Sequence, residues 1–560
     1  MAEPSPVEKL KAASRGLRGT LAEGLADPAT GALADGDAQL LRLHGSYQQD
    51  DRDRREERRQ QKLEPLWRFM VRLRLPGGVC TAAQWLAIDA LAREHAGSTL
   101  RLTTRQTFQF HGIVKQQLKP TLAALNAALI DTIATCGDVN RNVVASSNTV
   151  ESPAHAPVAD WARRLSEQLL PRTRAYHEIW LDGEKLVGEP EPEPLYGATY
   201  LPRKFKMALA IPPVNDVDVF ANDIGFIAIV ADGALVGFNL TLGGGLGATH
   251  GDVATYPRLA DVAGFLPPQA LPAVAAAVIE TQRDFGDRSN RKHARLKYTL
   301  ADRGLEWFVA EVERRAQLQL QPARPFHFDS NGDRYGWRQG YDARWHRTLC
   351  IPAGRLIDRY DLPWLSGLRA IAASGACDFR LTPNQNVMLA GVAVGARAEL
   401  DGLIAQYRLD AAEHGTPLKR DALACVALPT CPLAMAEAER YLPQLTGRVE
   451  ALLARHGLAA LPVSLRITGC PNGCARSYLA EIGLIGKAPG RYNLHLGGGV
   501  GGERLNVLYR ENLDEPGFLG VLDGLFAAFA AERHSEERFG DFLWRSGRLP
   551  VASARAAAGG

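Results

Sequence analysis

Arg101-Leu-Thr-Thr-Arg-Gln106 returns as Arg380-Leu-Thr-Pro-Asn-Gln385, 279 residues further along the chain. Asn239-Leu-Thr-Leu-Gly-Gly-Gly245 likewise returns as Asn493-Leu-His-Leu-Gly-Gly-Gly499, 254 residues on. A duplicated two-module unit accounts for both offsets. In front of each first-module echo lies a helical stretch, Thr81 to His95 and Leu362 to Ser374, with glycine punctuation around it. This strand, helix, strand pattern predicts an α+β fold in which two half-modules pair into one pseudo-symmetric domain. Two larger mixed sheets would flank a cleft.

Length and charge are compatible with that plan. The 560 residues allow three or four domains, and 46% hydrophobic content supplies several cores. A net charge of +3 on 65 basic and 62 acidic side chains excludes the strong bias of a nucleic-acid coat. No apolar run reaches the ~18 residues of a membrane span. The polar start Met-Ala-Glu-Pro-Ser-Pro has no apolar stretch of the signal-peptide kind, so a cytoplasmic location is expected. Residues 1–62 differ from the rest of the chain, and Gln48 to Lys62 are almost wholly polar. They read as a solvated or mobile arm.

Four of the eight cysteines fall in two tight pairs, Cys425-Val-Ala-Leu-Pro-Thr-Cys431-Pro432 and Cys470-Pro-Asn-Gly-Cys474. Four thiolates suit an iron-sulfur cube. The rival readings are structural zinc, whose usual spacing these gaps fit poorly, and unrelated thiols. Each pair sits beside proline, which favours the first helical position, so the thiols are expected near helix N-termini. Cys80, Cys136, Cys350 and Cys377 are scattered singly and read as packing.

The segments Arg101-Leu-Thr-Thr-Arg105-Gln-Thr-Phe-Gln-Phe-His111-Gly, Tyr200-Leu-Pro-Arg203-Lys204-Phe-Lys206 and Thr430-Cys-Pro-Leu-Ala-Met-Ala-Glu-Ala-Glu-Arg440 carry a resemblance over nearly the whole chain. So do Thr468-Gly-Cys-Pro-Asn-Gly-Cys474 and the stretch Gly486 to Gly498. Together they resemble the hemoprotein (beta) subunits of NADPH-dependent assimilatory sulfite reductases, within the nitrite/sulfite reductase family. The resemblance implies three domains around a siroheme and a four-iron four-sulfur cluster, with the cluster on Cys425, Cys431, Cys470 and Cys474 and Cys474 shared with the siroheme. It implies a flavoprotein-docking role for residues 1–62, a ferredoxin-like half-module at 63–150 and a siroheme- and substrate-binding module at 151–330. A second half-module at 331–415 would pair with the first, and a cluster-bearing module would occupy 416–560.

A siroheme carries eight carboxylates, and burying them requires cations. Read as a strand from Arg101, period two places Arg101, Thr103, Arg105, Thr107, Gln109 and His111 on one face and Leu102, Phe108 and Phe110 on the other. A turn within 103–106 would break that alternation. The polar face reads as an anion site or as an exposed strand face, and the resemblance implies that Arg101, Arg105, Gln109 and His111 contact the siroheme. A second set, Arg72 and Arg74 in an apolar strand and Lys204 and Lys206 after Pro202, also asks for an anion. The resemblance places the active-site cations at Arg72, Arg141, Lys204 and Lys206. Arg203, on the opposite face from the lysines, is expected to serve the cofactor. Arg288 to Lys297 is a third basic segment, either an anion site or a solvated helix end.

The implied chemistry is the six-electron reduction of sulfite to sulfide in sulfate assimilation and cysteine biosynthesis. Arginines would clamp the oxyanion and lysines would deliver protons. No Gly-x-Gly-x-x-Gly follows a clear strand, so electrons are expected from a partner alpha subunit, an NADPH-oxidising flavoprotein holding FAD and FMN. A ferredoxin-dependent sulfite or nitrite reductase is the alternative enzyme. A cluster-bearing electron carrier without siroheme is the alternative of another class.

Overall fold

The computed structural model describes residues 3–148, 150–172, 180–181, 184–185 and 193–550, so the outer ends of the expected N-terminal arm and last module lie outside the described residues. The duplication is visible strand by strand. One five-stranded mixed sheet runs Val144–Ala145, Met207–Ala210, Ile224–Ala231, Ala234–Leu242, Asp261–Leu266, with its first three strands parallel and the rest antiparallel. A second repeats that order and those directions with Leu423–Ala424, Leu465–Thr468, Ile482–Ala488, Arg491–Leu496 and Val507–Leu513. The Asn-Leu-x-Leu-Gly-Gly-Gly echo lies on the fourth strand of each.

The two half-modules are joined by exchange. Trp67–Arg72, Phe108–Ile113 and Thr99–Leu102 form a sheet that is continued by Arg355–Arg359 from the second half. Trp345–Leu349, Val387–Val392 and Asp378–Leu381 form its counterpart, continued by Val79–Cys80 from the first half. Each half completes the other's sheet, so neither can fold its full core alone. The helices Ala82–His95 and Trp364–Ser374 occupy the expected stretches, and Thr81 with Gln84 forms a capping box on the first. Trp85 stacks on Phe379 at 4.1 Å between ring centres, tying the halves at their core.

The crossing points demand glycine. Gly78 (φ 73°) and Gly354 (φ 70°) are equivalent positions, and a Cβ there would lie 2.4 Å from Leu381 O and 2.5 Å from Leu102 O respectively. One apolar core runs through the paired halves and the first five-stranded module, while the second module has its own. Among the described residues no helix is long and apolar enough to cross a membrane.

Residues 3–62 are not a solvated arm. Ser46–Asp50 pairs antiparallel with Trp67–Arg72 as the edge of the first half-sheet. The helix Pro6–Ala13 is anchored by Lys11, whose Nζ donates to Leu201 O at 2.9 Å and lies among the carboxylates of Glu8 and Asp138. Polar composition misled here because these side chains pair with one another and with the body. Only the short helix Arg55–Gln60 has no buried residue.

Candidate functional site

The strict alternation expected from Arg101 to His111 gives way to a hairpin, Thr99–Leu102 and Phe108–Ile113, with a turn over 103–106. Register then does what alternation along one strand was expected to do. Arg72 pairs with Gln109, Gln109 with Arg101, and Arg101 with Arg355, so four polar residues cross four strands in one row. His111, Met70, Tyr47 and Gln49 extend the same face. This face floors a cavity of about 260 Å³.

Opposite the floor, the modules meet end to end. Leu423–Ala424 and Leu465–Thr468 are parallel neighbours, so the loops that leave them start side by side, bringing Cys425 and Cys431 against Cys470 and Cys474. From the first module come the residues that enter its parallel strands, Arg141 and Asn142 before Val144 and Lys204 and Lys206 before Met207. Cations at one module's strand entries thus face thiols at the other's strand exits.

Every expected site residue lines this cavity except Arg203. Arg203 lies instead beside Asp138, Arg291 and Tyr47, and burial, then the Arg291 charge, brings its pKa down to about 10. Its neighbours Lys204 and Lys206 face the cavity, and alternation turns the residue before them away. Arg74 also turns away: the strand ends at Arg72, and the Arg74 guanidinium donates to Ser166 Oγ at 2.9 Å. The basic run 288–297 is neither an anion site nor a solvated end. Arg291 pairs with Asp138, Arg295 with Asp223, and Lys297 Nζ donates to Gly247 O at 2.9 Å.

The thiols do not sit at helix N-termini. Both cysteine pairs lie in irregular loops, and backbone and amide donors take the helix's place: Gly469 N–H donates to Cys425 Sγ at 3.3 Å, and Asn472 Nδ2 lies 3.7 Å from Cys474 Sγ. Burial, and then neighbouring thiols, push Cys425, Cys431 and Cys470 up, the last to about 12. A bound metal offsets that cost by stabilising the thiolates. Among the described residues no three His, Cys, Asp or Glu side chains gather as a single-ion site, and the four thiols share a cavity wall instead. Cys80, Cys136, Cys350 and Cys377 are buried and free, as packing residues are.

The cavity wall also holds polar atoms that call for a ligand. Both ring nitrogens of His111 are buried without a hydrogen-bond partner, as are Arg72 Nε, Arg105 Nε and Gln385 Oε1. His111 is only 8% exposed, and burial, then the Arg355 and Arg101 charges, keep its ring neutral. Arg101 is held more tightly, to Glu439, Leu102 O and Ala424 O. Arg141 donates to Gly137 O and Thr135 O. Burial, then Arg141, bring Arg105 down to about 9. Burial, then Arg295 and Arg105, bring Lys206 to about 7, and Lys204 falls well below its usual range through burial and Lys206. Carboxylates or oxyanions entering this cavity would meet unsatisfied donors and concentrated positive charge.

This chain is 62% identical over 546 residues to a protein of Myxococcus xanthus named sulfite reductase [NADPH] hemoprotein beta-component, covering 98% of this chain and 97% of that one. The chain belongs to that hemoprotein family. A relative of the same name from Xanthomonas oryzae pv. oryzae is 58% identical over 551 residues, covering 98% of this chain and 97% of the relative. The ferredoxin-like half domain of nitrite/sulfite reductases matches at residues 65–128 and again at 338–407, the two halves that exchange strands. The nitrite and sulphite reductase 4Fe-4S domain matches at 160–320, the first module, although the four clustered cysteines lie in the second. The structure of the Mycobacterium tuberculosis NirA protein superposes with a TM-score of 0.79 at 24% identity, covering 97% of each chain, and so shares the fold.

The structure adds residues that pattern alone left out. Tyr47 and Gln49 reach the cavity from the edge strand, and Asn472 accepts from Lys204 Nζ at 3.3 Å. Asn472 was legible, since it lies inside Cys470-Pro-Asn-Gly-Cys474. Arg476, two residues past Cys474, adopts φ 58° and donates to Asp216 O, Pro383 O and Asn384 Oδ1 at 2.8, 2.7 and 2.6 Å. It locks the loop that carries Cys474.

Duplication also predicts a mate for the cavity, and one is present. Ser146 and Asp216 occupy in the first module the places of Cys425 and Cys474 in the second, judged from the strands and short helical turns beside them. They line a smaller cavity of about 50 Å³ with Thr382 and Met388, the counterparts of Thr103 and Gln109, and with Asp333. A hydroxyl and a carboxylate stand where the main cavity has thiols, and although Arg334 and Arg338 also line it, this wall has no cysteine to hold a cluster.

Proposed function

We propose that this chain is the hemoprotein component of an NADPH-dependent sulfite reductase, reducing sulfite to sulfide by six electrons. Its cofactors are a siroheme and a four-iron four-sulfur cluster. The observation that carries the reading is a single cavity in which four thiols face Arg72, Arg105, Arg141, Lys204 and Lys206. Cys425, Cys431, Cys470 and Cys474 would hold the cluster, and Cys474 would also serve the siroheme. Arg101, Arg105, Gln109 and His111 meet the siroheme carboxylates, and the unpartnered nitrogens of His111 fit that part. Arg203, outside the wall and near Asp138 and Arg291, contributes positive charge at longer range. When bound, a siroheme and cluster would supply the electrons for the reduction.

The chain's own groups do the rest. Arg72 and Arg141 remain charged and hold the oxyanion, Arg141 being fixed by carbonyls of the 135–137 turn. Removing three oxygens as water needs protons at the substrate. Lys206, with a pKa about 7, can give a proton near neutrality and regain one from solvent, and Lys204 gains charge as an anion approaches. Electrons come from a flavoprotein alpha subunit that oxidises NADPH through FAD and FMN, the two working in the cytoplasm for cysteine biosynthesis. The 1–62 region, whose residues 3–62 fold onto the rest of the chain and expose the helix Arg55–Gln60, is the docking element.

An optical spectrum with iron, acid-labile sulfide and zinc analysis on protein made alongside siroheme synthesis tests this. Reduced-chlorin bands with about five irons per chain are expected, together with sulfide formation when the flavoprotein and NADPH are added. A cluster without chlorin bands after siroheme reconstitution would leave an electron carrier. Zinc without either would end the reductase reading.

A further inference from the structure

Lys206 is held from behind by a buried ion pair. Its backbone N–H donates to Asp223 Oδ2 at 2.9 Å, and Asp223, fully buried, accepts from Arg295 Nη2 at 2.8 and 2.9 Å and from Nε at 3.2 Å. Arg295 Nη2 also reaches Gly244 O at 3.4 Å, and a Cβ on Gly245 would fall 2.8 Å from Nη2, so the guanidinium is boxed in. The second module repeats the construction. Ser464 N–H donates to Glu481 Oε2 at 2.8 Å, and Arg538 Nη2 donates to the same oxygen at 2.6 Å. In both copies the arginine immediately precedes a helix, Leu296–Arg303 or Phe539–Arg545. The bracket belongs to the inherited scaffold, and only in the first copy does it back a lysine.

We propose that Asp223 and Arg295 are positioning residues for the reduction: they pin the Lys206 backbone so that its ammonium enters the cavity. As one fixed negative and one fixed positive charge, they also set the pH range over which that lysine donates. The proposal rests on the reading of Lys206 as a proton donor. The other groups around Lys206 are Arg105 from the hairpin turn, Lys204 on its own segment, Lys297 from the helix Leu296–Arg303 and the Cys474 thiol. Asp223 or Arg295 also acts on Arg105, Lys204 and Lys297, so the decisive reading is taken at Lys206 itself.

The test uses the full chain loaded with its cofactors and supplied by its flavoprotein. Two readings are taken: the alkaline limb of kcat/KM, and the pH midpoint for acetylation of Lys206 by acetic anhydride, followed by peptide mass. Arg295→Gln leaves Asp223 unopposed, so both should move up by about 1 pH unit. Asp223→Asn leaves Arg295 unopposed, so both should move down. Arg538→Gln, at the bracket without a lysine, should move neither. Arg295→Lys keeps the charge and should hold the wild-type midpoint even if the Gln variant loads poorly, and a shift in it overturns the charge argument. Limbs that stay still, or move the same way at 223 and 295, overturn the proposal. Loss of the limb in Lys206→Met with no movement at 223 or 295 sinks this inference alone. A wild-type limb in Lys206→Met removes the donor reading, and this proposal with it.

Discussion

At the scale of single residues, the cavity separates cations that hold from cations that give. Arg72 Nη1 lies 3.4 Å from Thr135 O, and Arg141 is tied to the same turn, so neither has freedom to follow a departing proton. No carbonyl or carboxylate among the described residues ties down the Lys206 ammonium, which titrates near neutrality through burial and Arg295. Lys206→Met should therefore lower turnover by about 100-fold or more, with the siroheme spectrum and iron content unchanged. Full turnover in a fully loaded variant would remove the lysine from the chemistry. Arg72, Lys204 and Lys206 were legible from charge in apolar surroundings, which requires a counterion, whereas Arg141 came only from the resemblance. Their division of labour was not legible, because it depends on carbonyls and charges supplied from distant parts of the chain.

At the scale of elements, the hairpin 99–113 shows why local pattern fell short. Period two from Arg101 gave the right face but the wrong geometry, because the turn at 103–106 resets the phase and cross-strand register restores it. The cysteine loops show a similar limit: proline beside a thiol suggested helix starts, whereas the loops begin at parallel strand ends and take their shape from contacts such as Gly469 to Cys425. The helices at 82–95 and 364–374 were legible because periodicity and a capping box act within one turn. Strand exchange makes Gly354 the sensitive point of the second half. Gly354→Ala forces a left-handed residue against Leu102 O, and urea denaturation should show a loss of at least about 2 kcal/mol. An unchanged midpoint would mean that the crossing can shift, which the 2.5 Å approach argues against.

At the scale of the whole molecule, duplication builds two cavities and chemistry keeps one for cofactors. In the mate cavity, burial, then the Asp333 carboxylate, raise Asp216 to about 7. The folded chain then binds that proton more tightly than the unfolded one, so stability falls as pH climbs from about 4 toward 7. Asp216→Asn keeps an acceptor for Ser146 Oγ, which donates at 3.0 Å, but cannot ionise. The stability lost between pH 5 and pH 8, read by denaturation at both, should shrink in this variant, and an undiminished loss would show that Asp216 is not the group responsible. By itself, the sequence determined a duplicated α+β protein, because repeat offsets survive without coordinates, and its motifs carried the resemblance to the sulfite reductase hemoproteins. Only tertiary structure decided which copy's loops meet which, that the N-terminal region folds onto the body, and that Arg203 and Arg74 turn away. Those outcomes come from strand register and from buried charge pairing between segments hundreds of residues apart, which no local pattern records.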